Sequence, residues 1–369
     1  MSYLVKEISL NDGWDDFLSI PFSIYKNDPY WIAPQSSEIK RVLDTKKNPY
    51  FKNAILKLFV CYSDSKPVSR SILVINILHW DKWKKKSAFF GFFESIDDDQ
   101  VVKCLFDRIE SECRILGAEY LEGPFNPNHY SELGLQIDNY NDYSAFFETH
   151  NPPYYLQLLK VNGFSEIQRI HTRINKDIRS TLKKGISSSI TNFSNKNITI
   201  RKFNIWKINR DLEIMRTINN DAFENNWYFL PLTFEEYKFS AKFLFLVTSP
   251  GNILFAEYKG KPVGVVQFVI NFNQLIKPYN GDINFWQVIL LLLKRKSVKD
   301  LILFSGGIKK EYRYFGIANQ LLKSSIKIVE KYKTYSTTWI SEDNKTSIYI
   351  TKLFEMFPDK QFGIYSKQV

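Results

Sequence analysis

The chain has 369 residues, 44% of them hydrophobic and 24% charged, and a formal net charge of +11. A chain of this length is expected to form two domains rather than one, and its apolar content excludes a largely disordered protein. The basic charge favours anionic partners such as nucleotide cofactors, nucleic acid or an anionic membrane surface, but charge alone does not choose among them.

The first half predicts a mixed unit of strands and helices. Tyr3–Ile8 has the pattern of a strand, two helical stretches follow to about Asp44, and residues 55–65 and 66–76 predict a β-hairpin around a short polar turn. The remaining elements are predicted in the order strand (87–95), helix (98–117), strand (118–125), helix (152–164) and strand (167–174).

The second half repeats this order of elements. Its segment Lys261–Asn271 matches Lys66–Asn76 at six of eleven positions, at an offset of 261 − 66 = 195 residues. The predicted elements are a strand (197–203), two helices (209–223 and 233–247), a hairpin (252–271), a strand (299–308), a helix (316–332), a strand (334–341), a helix after residue 344 and a strand near 362–367. The Ser- and Asn-rich stretch between the halves indicates a linker. We therefore predict domains at 1–175 and 196–369, a linker at 176–195 and an insertion at about 273–297.

The cysteines and histidines predict neither a metal site nor a disulfide framework. The three cysteines (Cys61, Cys104 and Cys113) form no C-x-x-C pair, and the four histidines do not complete a zinc set. The few cysteines, the lack of a signal-peptide pattern and the lack of an apolar run of about 18 residues predict a cytoplasmic protein.

One strand-to-helix junction of the second half has a distinctive spacing. Arg313, Gly316 and Ala318 form an R-x-x-G-x-A pattern within the repeated frame of strands and helices. In this frame the pattern resembles the GCN5-related N-acetyltransferase (GNAT) superfamily, over nearly the whole chain as two tandem copies. More narrowly, the chain is similar to an uncharacterised bacterial group of tandem GNAT-like proteins, in the segments FFGFFES (89–95), GPFNPN (123–128), HNPPYY (150–155), NNWYFLPLT (225–233), EYRYFGI (311–317) and SEDNK (341–345). The resemblance implies an α+β (α/β mixed) fold of two tandem domains, each a twisted, mostly antiparallel sheet flanked by helices.

The junction predicts a binding site for an anionic cofactor. The first turn of a helix has unpaired backbone N–H groups and the positive end of the helix dipole, and both suit a pyrophosphate. The resemblance implies that this loop holds the pyrophosphate of acetyl-CoA or another acyl-CoA, without a metal, and that the preceding strand splays to pair with the pantetheine arm. A glycine turn that only caps a packed helix is the alternative. The implied coenzyme-binding residues are Gly306, Gly307, Ile308, Arg313, Tyr314, Phe315, Gly316, Ile317, Ala318 and Asn344.

The first half lacks this loop. Ile96–Asp99 stands at the corresponding place, with no arginine or glycine at the required spacing, and its three carboxylates would repel a pyrophosphate. We therefore predict that the first domain has lost coenzyme binding and supplies either a wall of the acceptor site or only stability.

Acyl transfer to an amine requires a base for the ammonium and an acid for the departing thiolate. In many members of the superfamily the acid is a tyrosine within N-x-x-A-x-x-x-Y. Here Asn344 and Ser347 match the start of that motif, but Thr351 occupies the tyrosine position. Tyr349 remains a candidate acid, with Tyr312 and Tyr314 as alternatives. The candidate bases are Glu342, Glu257, Asp343 and Glu311.

Two groups of residues are candidates for the acceptor site. In the second half, the segment between the two helices falls where GNAT enzymes shape the acceptor pocket, and its candidates are Asn225, Asn226 and Trp227. In the first half, the candidates are polar residues in loops beside Gly or Pro, namely Asn126, His150 and Tyr154. Trp227 could instead fill the core, and His150 could instead cap the following helix.

The insertion at 273–297 has an amphipathic pattern. Phe285-Trp286 and the aliphatic run Val288–Leu293 precede three consecutive cations, Lys294-Arg295-Lys296. This pattern predicts either an interfacial helix or lid, or a buried helix packed between the domains. The interfacial alternative would allow peripheral membrane contact through residues 283–297 and a lipid-like acyl chain or an amphipathic acceptor.

The resemblance, together with these patterns, implies an acyl-CoA-dependent N-acyltransferase that acts on a primary amine of a small molecule or lipid precursor, with acetyl as the favoured acyl group. The predicted partners are acyl-CoA and the amine acceptor, with no specific nucleic acid, and the chain would be a monomer or dimer in the cytoplasm or at the inner face of the membrane. Two alternatives remain. One is a non-catalytic acyl-CoA-binding protein, and the other is a Fem-like aminoacyl transferase that uses charged tRNA.

Overall fold

The computed structural model describes residues 2–9, 12–128, 130–185 and 192–369, apart from the side chains of 243–247. The chain divides into two compact units. The first comprises Met1–Ile170, Leu275–Asn284 and Lys360–Val369, and the second comprises His171–Gln274 and Phe285–Asp359. The first unit therefore includes two segments that sequence order alone places in the second half.

The first part of the chain alternates strands and helices. Its elements are β1 (Tyr3–Ile8), α1 (Trp14–Ile24), α2 (Ser36–Leu43), β2 (Ala54–Ser63), β3 (Lys66–Asn76), α3 (Ile77–Trp83), β4 (Ser87–Ser95), α4 (Asp99–Ile115), β5 (Tyr120–Gly123), β6 (Phe125–Asn126), β7 (Glu132–Leu133), β8 (Leu135–Gln136), α5 (Tyr155–Val161), β9 (Ser165–Asn175) and α6 (Ile178–Lys184). Strands β1 to β5 lie side by side in chain order, antiparallel except for the parallel pair β4–β5. The last strand of the chain, β16 (Phe357–Gln368), pairs antiparallel with β5.

The second part repeats the arrangement. Its elements are β10 (Ile198–Lys202), α7 (Ile208–Ala222), α8 (Phe234–Val247), β11 (Ile253–Tyr258), β12 (Lys261–Ile270), α9 (Asn273–Ile276), α10 (Phe285–Lys294), β13 (Asp300–Ile308), α11 (Ile317–Val329), β14 (Thr334–Thr337), β15 (Ile340–Ser341) and α12 (Lys345–Leu353). Strands β10 to β13 form antiparallel neighbours, and β13–β14 is the parallel pair. Ile174 and Asn175 of β9 pair antiparallel with β14.

The two hairpins share their turn geometry as well as their sequence. The two central turn residues have positive φ in both, at 46° and 68° for Asp64 and Ser65 and at 49° and 77° for Lys259 and Gly260. Positive φ at both positions is the signature of a type I′ turn, whose twist matches that of the flanking strands. The turns lie 259 − 64 = 195 residues apart, which is the offset of the sequence repeat. A register shift follows Cys61 in the first hairpin and Ala256 in the second, again 195 residues apart.

The core of the first unit forms where α4 packs on its sheet. The carboxylate of Asp98 caps this helix by accepting hydrogen bonds from the N–H groups of Gln100 and Val101. The apolar residues of α4 at helical spacing are buried against aromatic residues of the strands; the ring of Phe106 on the helix, for example, lies 5.3 Å from that of Phe90 on β4, measured between centroids. Burial of each such large side chain stabilises the fold by about 1.5–3 kcal/mol.

In the second unit, α7 covers the equivalent part of the sheet. Leu212 and Met215 of this helix are buried against Phe203 and Phe255. The fold prediction is confirmed in class and in duplication: a mixed α/β chain in which a mostly antiparallel sheet flanked by helices occurs twice. Among the described residues, no helix has both the length and the hydropathy needed to cross a membrane.

Candidate active site

In the second unit, β13 stops pairing with β14 partway along its length. The two strands pair in parallel over Asp300–Leu303 and Thr334–Thr337. Thr338 then donates from its N–H to the carbonyl oxygen of Leu303 (3.1 Å) and from Oγ1 to that of Phe304 (3.0 Å). Strand β13 nevertheless remains paired with β12 as far as Ile308. Within the part of the chain that the structure describes, residues 305–308 of β13 therefore have an edge that β14 does not cover.

This open edge presents backbone amides. The N–H of Lys309 donates to the carbonyl oxygen of Val263 at 2.9 Å. Hydrogen-bonded and non-hydrogen-bonded pairs alternate along antiparallel strands, so the N–H groups of Gly306 and Ile308 point away from β12. A ligand with amide groups of its own can pair with such an edge as an added strand does. The edge is therefore suited to an extended, amide-containing chain.

The helix α11 follows this strand, and its start lacks a side-chain cap among the described residues. Gly316 precedes the helix with φ at 79°, in the left-handed region that favours glycine. A methyl group at this position would overlap the ring of Phe193. The first turn contains no acidic residue, so the N–H groups of Ile317 and Ala318 and the positive end of the dipole face no carboxylate of their own helix.

The other residues of the loop are mostly at the surface. Arg313 is exposed, and its Nη2 donates to the carbonyl oxygen of Ala222 at 3.0 Å. Tyr314 is 97% exposed. The ring of Phe315 packs against that of Tyr258, with centroids 5.1 Å apart. The loop thus presents one guanidinium and one phenol close to the helix start.

The predicted acid and the motif around it occupy α12. Asn344 is the N-cap of this helix, and its side chain accepts a hydrogen bond from the N–H of Ser347 at 3.0 Å. Thr351, at the tyrosine position of the family motif, is only 1% exposed, and its Oγ1 donates to the carbonyl oxygen of Ile348. Tyr349 is 62% exposed, and Glu342 is also exposed. The tyrosine position of the motif is thus occupied here by a threonine that faces the core.

Glu257 belongs to a network of ion pairs. Its Oε1 accepts from Nε of Arg201 at 2.6 Å, and Nη1 of the same arginine donates to the buried carboxylate of Asp211 at 2.9 Å. Burial acts to raise the pKa of Asp211, but the N–H of Asn204 and the guanidinium of Arg201 lower it overall. This network ties β10, β11 and α7 together, which is a structural role for the glutamate.

The segment after α7 holds the predicted acceptor residues of the second unit. Asn225 and Asn226 are exposed. Trp227 is half-buried and stacks on Tyr228, with centroids 3.9 Å apart and planes at 17°.

Two buried polar atoms that the sequence analysis missed lie beside the open strand. Asn219 is 8% exposed, and its Nδ2 donates to the hydroxyl of Tyr237. A Cβ on Gly307 would lie 3.1 Å from Oδ1 of Asn219, so this amide oxygen lies directly over the strand. Oδ1 of Asn219 and Oγ of Ser305 are both buried without a hydrogen-bond partner among the described residues. Ser305 and Gly307 share a face of the strand because side chains alternate along it. No sequence motif distinguishes Asn219 as a site residue, because it lies in an ordinary helical stretch (Asn-Asn-Asp) of α7.

In the first unit, the corresponding slot is filled by the chain itself. Strands β4 and β5 stop pairing after Phe89, and β6 (Phe125–Asn126) then lies against β4. Oδ1 of Asn126 accepts a hydrogen bond from the N–H of Phe92 at 2.6 Å. A methyl group at Gly91 would overlap the carbonyl oxygen of Phe125. The predicted substrate residue Asn126 thus binds the backbone of its own unit.

A largely buried carboxylate, with its side chain 14% exposed, lies on β4 beside this slot. Glu94 accepts hydrogen bonds from the hydroxyls of Tyr25 and Tyr155, both at 2.8 Å, and lies 3.7 Å from Nη2 of Arg70. Burial raises the pKa of Glu94, against the opposing effects of Arg70 and the two hydroxyls. Glu94 pairs with Arg70, and Gly307 pairs with Val265, which is 265 − 70 = 195 residues later. The two units therefore place a largely buried charge and a glycine at equivalent positions.

The two remaining candidates of the first unit are engaged in internal contacts. Nε2 of His150 lies 2.8 Å from a carboxylate oxygen of Asp28, and the hydroxyl of Tyr154 donates to the carbonyl oxygen of Ser95 at 2.8 Å. The ring of Tyr25 stacks on Trp31 with centroids 4.9 Å apart, and its hydroxyl also lies 3.1 Å from the carbonyl oxygen of His150. These contacts hold the loops of this unit together. Among the described residues, no group of three or more His, Cys, Asp or Glu side chains could hold a metal ion.

Comparison with known proteins places this geometry in a wider context. No protein-family model matches the chain. It is 26% identical over 365 residues to protein YghO of Escherichia coli (strain K12), covering 96% of this chain and 92% of that protein. It is also 26% identical over 367 residues to the bacterial ceramide synthase of Caulobacter vibrioides (strain NA1000 / CB15N), covering 95% of this chain and 94% of that protein.

Among solved structures, a tandem GNAT protein from the clavulanic acid biosynthesis pathway matches with a TM-score of 0.61 at 10% sequence identity. The match covers 100% of this chain and 98% of that one. The chain therefore has the tandem GNAT fold, which confirms the fold that the R-x-x-G-x-A junction and the repeat predicted.

Proposed function

We propose that this protein is an acyl-CoA-dependent N-acyltransferase whose second unit holds the coenzyme, and that it joins a fatty acyl chain to the primary amine of a lipid precursor. The observation that carries the proposal is one continuous stretch of the second unit. It runs from the uncovered edge of β13, with the amides of Gly306 and Ile308, to the uncapped start of α11 at Gly316.

The residues on this stretch fit the two parts of the coenzyme. The outward amides of β13 suit the pantetheine arm, which has amide groups of its own. The helix start beyond Gly316 suits the pyrophosphate, because unpaired N–H groups and the dipole favour an anion there. Arg313 adds a positive charge at the same loop. The coenzyme would supply an activated thioester, and the protein would orient it.

The transfer itself is a displacement at the thioester carbonyl. The amine nitrogen of the acceptor attacks the carbonyl carbon, the C–N bond forms and the C–S bond breaks. The nitrogen loses a proton, and the departing sulfur takes one. Oδ1 of Asn219 and Oγ of Ser305 lie on the same face of the open strand, and both could accept a hydrogen bond from the N–H groups of an amine that reached this face. Orientation of the two reactants would supply most of the rate enhancement.

One relative and the insertion of the chain support a lipid-like substrate class. One relative, matched over 94% of its length, is named a ceramide synthase, and a ceramide is the fatty amide of a long-chain amino alcohol. The apolar run of the insertion, followed by three cations, is typical of a helix at a lipid surface and so also favours a lipid-like acyl chain or acceptor. We therefore propose a fatty acyl donor, in place of the acetyl group that the sequence pattern favoured.

A coenzyme-release assay tests the proposal. Purified protein is incubated with palmitoyl-CoA or acetyl-CoA and with either sphinganine or ethanolamine, and free thiol is measured together with the mass of the amide product. We expect amide formation from palmitoyl-CoA with sphinganine. If the protein binds the coenzyme but forms no amide from either acyl donor with either amine, the proposal is contradicted.

Variants of the loop test where the coenzyme binds. Gly316→Glu is expected to weaken palmitoyl-CoA binding at least ~100-fold, because it places a carboxylate beside the pyrophosphate. Gly316→Gln adds the same bulk without charge and isolates the effect of the charge. Gly260→Glu is a matched control with φ at 77° and open space around it. If Gly316→Glu binds as tightly as the wild type, the coenzyme site lies elsewhere.

One observation favours a second candidate function, a non-catalytic acyl-CoA-binding protein. The tyrosine position of the family motif is a buried threonine, Thr351, and the nearest alternative, Tyr349, is 62% exposed. This candidate predicts acyl-CoA binding that is sensitive to Gly316→Glu, together with no amide product from any amine in the panel.

A further inference from the structure

One helix of the second unit exposes its apolar side. In α10, Phe285 is 70%, Trp286 75% and Leu293 72% exposed, while Leu291 on the other side is 6% exposed. With Leu290, which is 41% exposed, these residues fall within about 140° around the helix axis at ~100° per residue. A contiguous exposed patch of this kind marks an interaction site, since a water-facing helix surface is normally polar.

The charges at the end of this helix indicate what covers the patch. Lys294, Arg295 and Lys296 follow the apolar run directly, and the helix itself has no charged residue before Lys294. Aromatic rings at one end and flexible cations at the other are typical of helices that lie in the interface of a bilayer. A tryptophan is the preferred residue at the headgroup level.

We propose that α10 docks on a lipid surface that contains anionic headgroups, with Phe285, Trp286 and Leu293 inserted and the three cations on the headgroups. The proposal rests on and deepens the proposed function. A long-chain acyl donor and an amino lipid both partition into membranes, so an enzyme that joins them gains by working at the membrane surface.

The position of α10 in the chain connects docking to the coenzyme strand. Five residues, 295–299, separate the end of α10 from the start of β13 at Asp300. The six steps of chain from Lys294 to Asp300 therefore span at most about 22 Å. The docked helix would therefore keep the start of β13, the strand with the open edge, within that distance of the membrane.

Vesicle sedimentation with the full-length protein and no substrate tests the proposal. The vesicles are of phosphatidylcholine alone, or of equal parts phosphatidylcholine and phosphatidylglycerol. We expect the wild type to sediment with the mixed vesicles and much less with the neutral ones. The double variant Phe285→Ser/Trp286→Ser should weaken that binding at least ~10-fold, because two inserted rings are lost. The triple variant Lys294→Glu/Arg295→Glu/Lys296→Glu should weaken it about 100-fold, because each cation near an anionic surface contributes severalfold.

A matched control comes from the same unit. Trp206 is 92% exposed but lies in a short turn outside α10. Trp206→Ser should bind vesicles like the wild type. Circular dichroism should show that all variants retain their helix content, so that lost binding reflects the surface and not unfolding.

Three results would overturn the proposal. The first is a wild type that does not sediment with mixed vesicles, and the second is an equal loss of binding in Trp206→Ser. The third is a wild-type dimer that Phe285→Ser/Trp286→Ser converts to a monomer, since a second copy would then cover the patch. Vesicle binding needs no turnover, and amide formation can be measured on detergent-solubilised lipids. Failure of docking and failure of the proposed function are therefore distinguishable.

Discussion

The two units differ most where their parallel strand pairs come apart. In the second unit, β13 leaves β14 with an uncovered edge, and only Cγ2 of Val266, at 4.0 Å, comes within 4 Å of a Cβ built on Gly306, among the described residues. In the first unit, β6 lies in the corresponding place and contacts Gly91 and Phe92 of β4. The same frame of strands thus yields one slot that is open and one that is filled.

The difference between the slots arises within a common frame of strands. Both units keep the hairpin, the type I′ turn and the register shift at the same offset. A largely buried carboxylate, Glu94, stands at the position of Gly307, and an acidic cap at Asp98 stands in the place of the loop at Gly316. A few local residues therefore decide which unit has an open slot and which has a filled one.

The largest expected effect comes from adding one methyl group to each slot. Gly91→Ala should destabilise the protein by about 3 kcal/mol or more, because the methyl group meets the backbone of Phe125. Gly306→Ala should cost less than about 1 kcal/mol, because its methyl group would meet, among the described residues, only Cγ2 of Val266, at an ordinary contact distance of 4.0 Å. Urea denaturation of the two variants and the wild type measures both. If Gly91→Ala and Gly306→Ala lost the same free energy of unfolding, the distinction between a filled and an open slot would be contradicted.

A smaller effect is expected from pH in the first unit. His79 is 2% exposed, and burial, aided by the positive charge of Lys85, lowers its pKa to about 3 from 6.5. Between these values the unfolded chain binds more protons than the folded chain, so stability is present above pH 6.5 and falls as the pH drops through this window. From pH 7 to pH 5 the loss from this group should be about 2 kcal/mol.

The second unit has a glutamine at the place of this histidine, since 79 + 195 = 274. His79→Gln should therefore remove that part of the pH dependence. Urea denaturation at pH 7 and pH 5 compares the variant with the wild type. The assignment fails if the two lose the same free energy of unfolding, or if the imidazole proton signals of His79 titrate near pH 6.5 in an NMR experiment.

The smallest expected effect concerns the open slot itself. Asn219→Ala should lower kcat/KM for the amine about 10-fold, because one acceptor of its hydrogen bonds is lost, and should leave acyl-CoA binding unchanged. Asn220→Ala is the control, since the Asn220 side chain bonds to the backbone of Leu232 at 2.9 Å and 3.1 Å. Comparable losses of kcat/KM in both variants would mean that Asn219 only supports the helix.

Local and repeated patterns were predictable from the sequence. The apolar residues of α4, the paired hairpins and the break before α11 follow from periodicity, turn chemistry and glycine placement. Because the order of elements occurs twice, the prediction of each strand in one half was supported by the corresponding strand in the other half. Asn344 also had a local signal, because an asparagine three residues before Ser347 is a common helix cap.

Features that depend on distant contacts were not predictable. The two-residue strand β6 is too short to have a pattern, and its place against Gly91 is fixed by tertiary packing. Likewise, the sequence does not indicate that Lys360–Val369 belongs to the first unit. The pairing of a strand depends on which strand edges are available in the folded chain, and the sequence alone does not show this. Asn219 is a candidate site residue only because its side chain lies close to Gly307, which the sequence does not show.

The filled slot of the first unit has a kinetic and thermodynamic meaning. Residues 125–126 are tethered to β5 by a single intervening residue, Pro124, so their effective concentration at β4 far exceeds the millimolar values typical of a flexible linker. A free coenzyme at cellular concentration would have to compete with this built-in ligand, which never diffuses away. On the proposed function, this tethered segment would keep the slot of the first unit occupied even when coenzyme is present.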